Sequence, residues 1–230
     1  MTWPPRVEQR RRQTWSCRLA LLGAGTGTGG RGNMTERAST ELTIGLGTAA
    51  LRAATSVAHR RLEIDLDLMS PALTMARYGS LLAAFASVHA TLDDEIWGQI
   101  CAAGPVDTLA ELDFASRRKL PTLLIDLAVL DLPEPRRLPL PICSLNAALG
   151  ALYVCEGATL GGRIIAPHVL QVLGPNTPVA FFTSYGTDVP RMWSTCRRVF
   201  DELLATPFAA LQAANAATDV FDRIANALLS

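Results

Sequence analysis

From Ala38 onward, apolar residues recur every three to four positions and no stretch alternates with period two for long, which predicts helices rather than strands. Residues 45–67 place Leu51, Ala54, Ala58, Leu62 and Leu66 on one face. Pro71 follows at a position that a helix N-terminus tolerates. A second helix carries Tyr78, Leu82, Phe85, His89 and Leu92 as one stripe and is expected to end near Asp93-Asp94-Glu95. A third pattern runs from about Thr108 to Asp131. Pro133, Pro135, Pro139 and Pro141 then mark a linker, because proline lacks the N–H that a helix interior needs. Residues 142–173 read as a fourth helical stretch, broken or bent in the middle. Gly174-Pro175-Asn176-Thr177-Pro178 opens a loop that continues to Gly186, and helices over about 190–204 and 207–228 close the pattern. The expected fold class is all-α, a single domain of several helices.

Composition narrows the function. With 230 residues, 49% of them hydrophobic, the chain can bury a core without disulfides or a metal staple. Its 21 basic and 21 acidic side chains cancel, which argues against a dedicated surface for nucleic acid or anionic membrane. The 5 cysteines show no C-x-x-C spacing and no cysteine–histidine cluster, a usage that fits a reducing cytoplasm. No apolar run reaches the ~18 residues that span a bilayer.

The N-terminal segment is different. Six arginines (Arg6, Arg10, Arg11, Arg12, Arg18 and Arg31) face one acid, Glu8, within residues 1–33. Gly25-x-Gly27-x-x-Gly30 nominally matches a dinucleotide fingerprint, but the helix with an apolar face that should follow is missing from Arg31-Gly32-Asn33-Met34-Thr35-Glu36. Leu19-Ala20-Leu21-Leu22 is too short for the core of a signal peptide. Residues 1–37 are therefore expected to be a disordered Arg/Gly-rich tail, with Met34 an alternative start, and residues 38–230 the helical domain.

Two segments carry candidate chemistry. His59 and Glu63 stand four apart on the first helix, within about 40° of each other around its axis. An imidazole that ligates a metal through one nitrogen usually hands its other N–H to an acceptor, and Glu63 is placed to be that acceptor. A half-buried histidine with an ordinary helical partner fits the same spacing. Arg52, seven residues upstream, shares the face and could meet an acidic group at the edge of a flat ligand. On the fourth helix, Gly150, Gly157 and Gly161 fall on one face within about 40°. Each glycine costs a helix interior roughly 0.8–1 kcal/mol relative to alanine. Close helix packing and a backbone cradle for something large and flat both account for such a stripe. Tyr153 lies one turn before Gly157; His89 sits on the core stripe; His168 follows Pro167 and reads as a surface residue or a second ligand.

Together, Leu-Arg-x-Ala-Thr-x-x-x-His-x-x-Leu-Glu at 51–63 and Gly-Ala-Thr-Leu-Gly-Gly-Arg at 157–163 resemble the haem oxygenases, most closely the bacterial branch associated with bacteriophytochromes. Leu92-Asp93-Asp94-Glu95-Ile96, Arg118-Lys119-Leu120 through Asp126-Leu127-Ala128, and Phe181-Phe182 with Tyr185-Gly186 before Trp193 extend the resemblance over about residues 45–225. It implies haem as both prosthetic group and substrate, sandwiched between a proximal and a distal helix. It further implies O2-dependent cleavage to biliverdin, carbon monoxide and ferrous iron. His59 takes the place of the iron ligand, Glu63 the carboxylate beside it, and Arg52 and Arg198 the bases that pair with propionates. Gly157 and Gly161 match the distal glycines that leave room for O2. Ala158 stands where many members have an aspartate that organises proton delivery, which turns attention to Thr159 and leaves a non-degrading haem-binding or sensor protein as the alternative. Electrons are expected from a ferredoxin or flavin-type reductase, and a bacteriophytochrome is a conceivable recipient of the biliverdin.

Overall fold

The first helix owes its start to a residue far along the chain. In a computed structural model that describes residues 45–104 and 106–229, α1 (Leu46–Leu66) begins at Gly45, which offers no side-chain cap. The Asp201 carboxylate supplies one, accepting from the N–H of Gly45 at 3.2 Å and of Thr48 at 2.8 Å. Unsatisfied N–H groups at a helix start need such an acceptor. The buried face of α1 runs Gly47, Thr48, Leu51, Thr55 and Leu62. Leu51 and Leu62 are on it as expected, whereas Ala54 is exposed.

α2 (Met75–Ala102) is capped by Thr74, whose hydroxyl accepts from the N–H of Arg77. Pro71 lies in the turn before it, outside the helix. Tyr78, Leu82, Phe85, His89 and Leu92 are all buried on α2. The helix does not end at Asp93-Asp94-Glu95 but runs on to Ala102, with Ile96 continuing the buried stripe. The third pattern is three pieces: α3 (Asp107–Ala110), a 3₁₀ turn over Phe114–Arg117 and α4 (Leu120–Val129). Asp113 breaks the run with φ 43°, in the left-handed region. The proline-rich stretch is an extended linker with no helix.

α5 (Leu145–Leu173) starts at Ser144, whose hydroxyl accepts from the N–H of Ala147, and continues unbroken through its glycines and Pro167. Of the break or bend expected in its middle, the break is absent. A loop with a 3₁₀ turn at Gly186–Asp188 leads to α6 (Val189–Leu203) and α7 (Pro207–Leu229). No strand occurs among the described residues, and the all-α reading holds. The tail over residues 1–37 and the boundary at 37/38 lie outside the described residues.

α7 positions the rest. Ala209, Ala210, Ala213, Ala214 and Ala217 form a small-residue buried face that lets neighbouring helices approach closely. α1 and α5 both pack extensively on α7, but not extensively on each other. A side chain at Gly150 would sit 2.8 Å from the carbonyl carbon of Ala213, so Gly150 serves this helix packing.

Candidate functional site

Burial pushes the Tyr153 hydroxyl of α5 up, and Thr55 of α1 pulls it partly back, which puts the two side chains near each other. His59 and Gly157 each lie one turn further along their own helices, ~6 Å at 1.5 Å per residue. Both helices are seated on α7.

His59 is half-buried, with its ring edge against Phe221 of α7 at 5.8 Å. Burial holds its imidazole below the usual value, which keeps it neutral at pH 7, the form that can ligate a metal. Its Nδ1 lies 3.4 Å from Oε1 of Glu63, an oxygen that is buried and satisfied by no hydrogen bond. The contact is close but not aligned, and with a neutral imidazole it is not an ion pair. Burial pushes the Glu63 carboxyl up to about 7, against the opposing pull of Arg60. Nδ1 therefore faces an acceptor in waiting, and Nε2 is the nitrogen left to ligate. Among the described residues no group of three or more His, Cys, Asp or Glu side chains could hold a metal ion.

On the other side, a side chain at Gly157 would meet no described atom within 4 Å. The stripe thus divides: Gly150 packs against α7 and Gly157 borders open space. Gly161 is buried. Gly162, which the sequence did not single out, is pressed on the Phe182 backbone, where an added side chain would lie 2.9 Å from the carbonyl carbon.

The polar residues sort less evenly. Arg52 is exposed and makes no ion pair among the described residues, and its charge helps pull the Tyr153 hydroxyl down against the larger upward effect of burial. Tyr153 also touches Trp193 at 5.7 Å and Phe200 at 6.0 Å. Arg198 is not brought to this group. Its guanidinium bonds Glu111, the residue that follows α3, and lies 4.0 Å from Glu202, on the outer side of α6. Its neighbour Arg197 falls instead on the stripe with Trp193, and the Arg197 carbonyl accepts from Thr48 of α1 at 3.4 Å. Thr159 is buried and donates its hydroxyl hydrogen to the Glu156 carbonyl at 2.6 Å, so it is not a proton donor to the open side. Ala158 is exposed.

His89 is the core histidine expected, with Nδ1 3.0 Å from Asp93. His168 is half-buried, and its Nε2 tethers the Ser70 carbonyl at 3.1 Å. The largest miss is Glu156. It is buried with Arg117, Lys119 and Tyr185 around it. A lone acid inside the apolar run Leu149–Leu160 was the signal that could have found it.

No protein-family profile matches the chain. A curated protein from Xanthomonas campestris pv. campestris (strain 8004), described as "Heme oxygenase", is 33% identical over 115 residues, covering 50% of this chain and 69% of the relative. The fold is similar to that of the Neisseria meningitidis heme oxygenase, whose NO- and CO-bound crystal structures are known. That match has TM-score 0.63 and 21% identity over 78% of this chain and 88% of that one. It is similar also to a heme oxygenase from Leptospira interrogans, with TM-score 0.65 and 17% identity over 78% and 97% of the two chains. A heme oxygenase-1 from the cyanobacterium Synechocystis, in complex with heme, matches with TM-score 0.62 and 15% identity over 79% and 90%.

Proposed function

This chain belongs to the heme oxygenase family, and from that premise we propose that it binds haem at His59, with the Gly157–Gly161 stretch on the opposite face, and cleaves it to biliverdin, carbon monoxide and ferrous iron. The observation that carries the reading is a neutral, half-buried imidazole beside an orphaned carboxylate oxygen on α1, and open space at Gly157 on α5, two helices seated on the same α7.

Each residue then has a task. His59 would hold the haem iron, and Glu63, 3.4 Å from Nδ1, would accept its N–H, fixing the ring and raising its basicity. We assign the propionate carboxylates to Arg52 and Arg197, neither of them committed to an ion pair among the described residues; the Arg52 charge is felt at the Tyr153 hydroxyl. Gly157 withholds a side chain, so a small gas molecule fits on the distal side. When bound, haem supplies both the iron that activates O2 and the porphyrin carbon that is oxidised. Thr159 being committed to its own helix, protons enter with water at the exposed Ala158 edge. Electrons come from a separate ferredoxin or flavin-type reductase. Four unpaired cysteines, at 101, 143, 155 and 196, suit a reducing compartment, and no described helix is long and apolar enough to cross a membrane.

Ala158 favours one second reading, a haem-binding protein that does not degrade its ligand. Haem added to the purified protein, with a reductant and O2, separates the two. Loss of the Soret band with a rise of red-absorbing pigment supports cleavage. A Soret band that persists through many minutes of reduction and oxygenation supports the second reading. His59→Ala is expected to abolish turnover, and full activity in that variant would remove the axial role.

A further inference from the structure

Behind the Gly157–Gly161 stretch, on the side away from the open space, α5 is gripped at both ends by the same loop. At one end is Glu156, 1% exposed, immediately before Gly157. Its Oε1 accepts from Lys119 Nζ at 3.0 Å and from the Tyr185 hydroxyl at 2.6 Å. Its Oε2 accepts from Arg117 Nη1 at 2.7 Å, with Cys196 Sγ at 3.8 Å. Lys119 also donates to the Tyr185 hydroxyl and lies 3.8 Å from the centre of that ring. At the other end Gly162 rests on the backbone of Phe182. Phe182 and Tyr185 belong to one loop, itself moored by Asp126, whose two oxygens accept from Ala180 and Phe181 N–H at 2.8 Å, and by Tyr78, which donates to the Pro178 carbonyl at 2.7 Å.

Buried ion clusters contribute little net stability, because desolvation offsets much of their attraction. What this one supplies is direction. Its bonds reach α5 from the 3₁₀ turn at Phe114–Arg117, from Lys119 before α4 and from the loop, with the thiol of α6 alongside. A glycine stretch has no side chains with which to fix itself, so its placement must come from such neighbours. We propose that Glu156 and Tyr185 are positioning residues that hold the Gly157–Gly161 backbone against the ligand face. The consequence for ligands rests on the haem-binding reading above.

Tyr185→Phe tests this, since it keeps the ring over Lys119 and deletes the hydroxyl shared by Lys119 and Glu156. Hydrogen exchange on the ligand-free protein should show amides 157–162 exchanging ~10-fold faster, with those around His59 unchanged. Haem affinity should stay within about threefold, because the axial side is intact. Carbon monoxide should leave the reduced, haem-loaded protein at a rate changed by about fivefold or more. Asp126→Asn, which loosens the loop at its other mooring, should change the same amides. Unchanged exchange at 157–162 in both variants, or a rise spread evenly over the chain, overturns the proposal. So does an unaltered carbon monoxide rate alongside faster local exchange. If the wild-type protein takes up no haem, the functional reading fails instead, and the exchange arm still decides whether the clamp exists.

Discussion

Alanine at Gly157 and alanine at Gly150 should move this protein in opposite directions, although the two glycines share a helical face. Either substitution removes a mid-helix glycine, a gain of about 0.8–1 kcal/mol in helix propensity. At Gly157 nothing described lies within 4 Å of the new methyl, so the ligand-free protein keeps that gain. For a domain of this size it amounts to a melting temperature higher by roughly 2–4 °C. At Gly150 the methyl would meet the Ala213 carbonyl, with its carbon at 2.8 Å, and backbone cannot rotate aside as a side chain could. Overpacking of that kind costs about 1–3 kcal/mol, which set against the propensity gain leaves a net loss of about 1 kcal/mol. Haem binding should reverse the ranking. The Gly157 methyl projects into the space assigned to the ligand, and the same overpacking scale gives roughly 5- to 150-fold weaker affinity. Thermal denaturation of the ligand-free proteins and a Soret titration measure both quantities. A Gly157→Ala protein that melts lower than wild type, or that binds haem equally well, would show that the space beside Gly157 is not where the ligand sits.

Three further outcomes are expected. Asp201→Ala removes the acceptor for the Gly45 and Thr48 N–H groups and should cost about 1–2 kcal/mol in urea denaturation, with no loss meaning that water caps α1 as well. Arg52→Ala and Arg197→Ala should each weaken haem affinity by about tenfold, the scale of one charge-assisted hydrogen bond, whereas Arg198→Ala should leave it unchanged because Arg198 is occupied by Glu111; an equal effect at Arg198 refutes that assignment. Glu63 is pushed from the usual 4.5 up to about 7, so between those pH values the unfolded chain releases a proton that the folded chain keeps. The stability of the ligand-free protein should therefore fall as pH rises through that window, and Glu63→Gln should flatten the slope; identical slopes in the two proteins would contradict a buried carboxyl.

Much of the fold was legible because helical periodicity records burial directly. The stripe from Tyr78 to Leu92 and the two last helices lie where the pattern placed them. What local reading missed was settled by residues distant in sequence. Asp93-Asp94-Glu95 looks like a helix end, yet each acid is answered from elsewhere: Asp93 by His89 and the Leu120 N–H, Asp94 by Arg118 and Arg137, Glu95 by the Ile142 N–H. The third pattern kept its period across Asp113, where the backbone turns left-handed and the helix cannot continue. In the candidate site, the four-residue spacing of His59 and Glu63 was visible at once. Arg197 and Arg198 are adjacent, and only the tertiary contact with Glu111 shows that Arg198 is already occupied. Glu156 carried no local mark of its partners, which lie 29 to 40 residues away.

The joint seating of α1 and α5 on α7 has a consequence for biosynthesis. Phe221, the ring against His59, follows Gly157 by more than sixty residues. At ~5–20 residues per second a ribosome needs several seconds to cover that interval. Throughout it the emerging polypeptide already displays its imidazole and its glycine ridge, but not the surface that joins them. If His59 and the glycine stretch do hold the tetrapyrrole, its capture would be deferred until translation has reached α7.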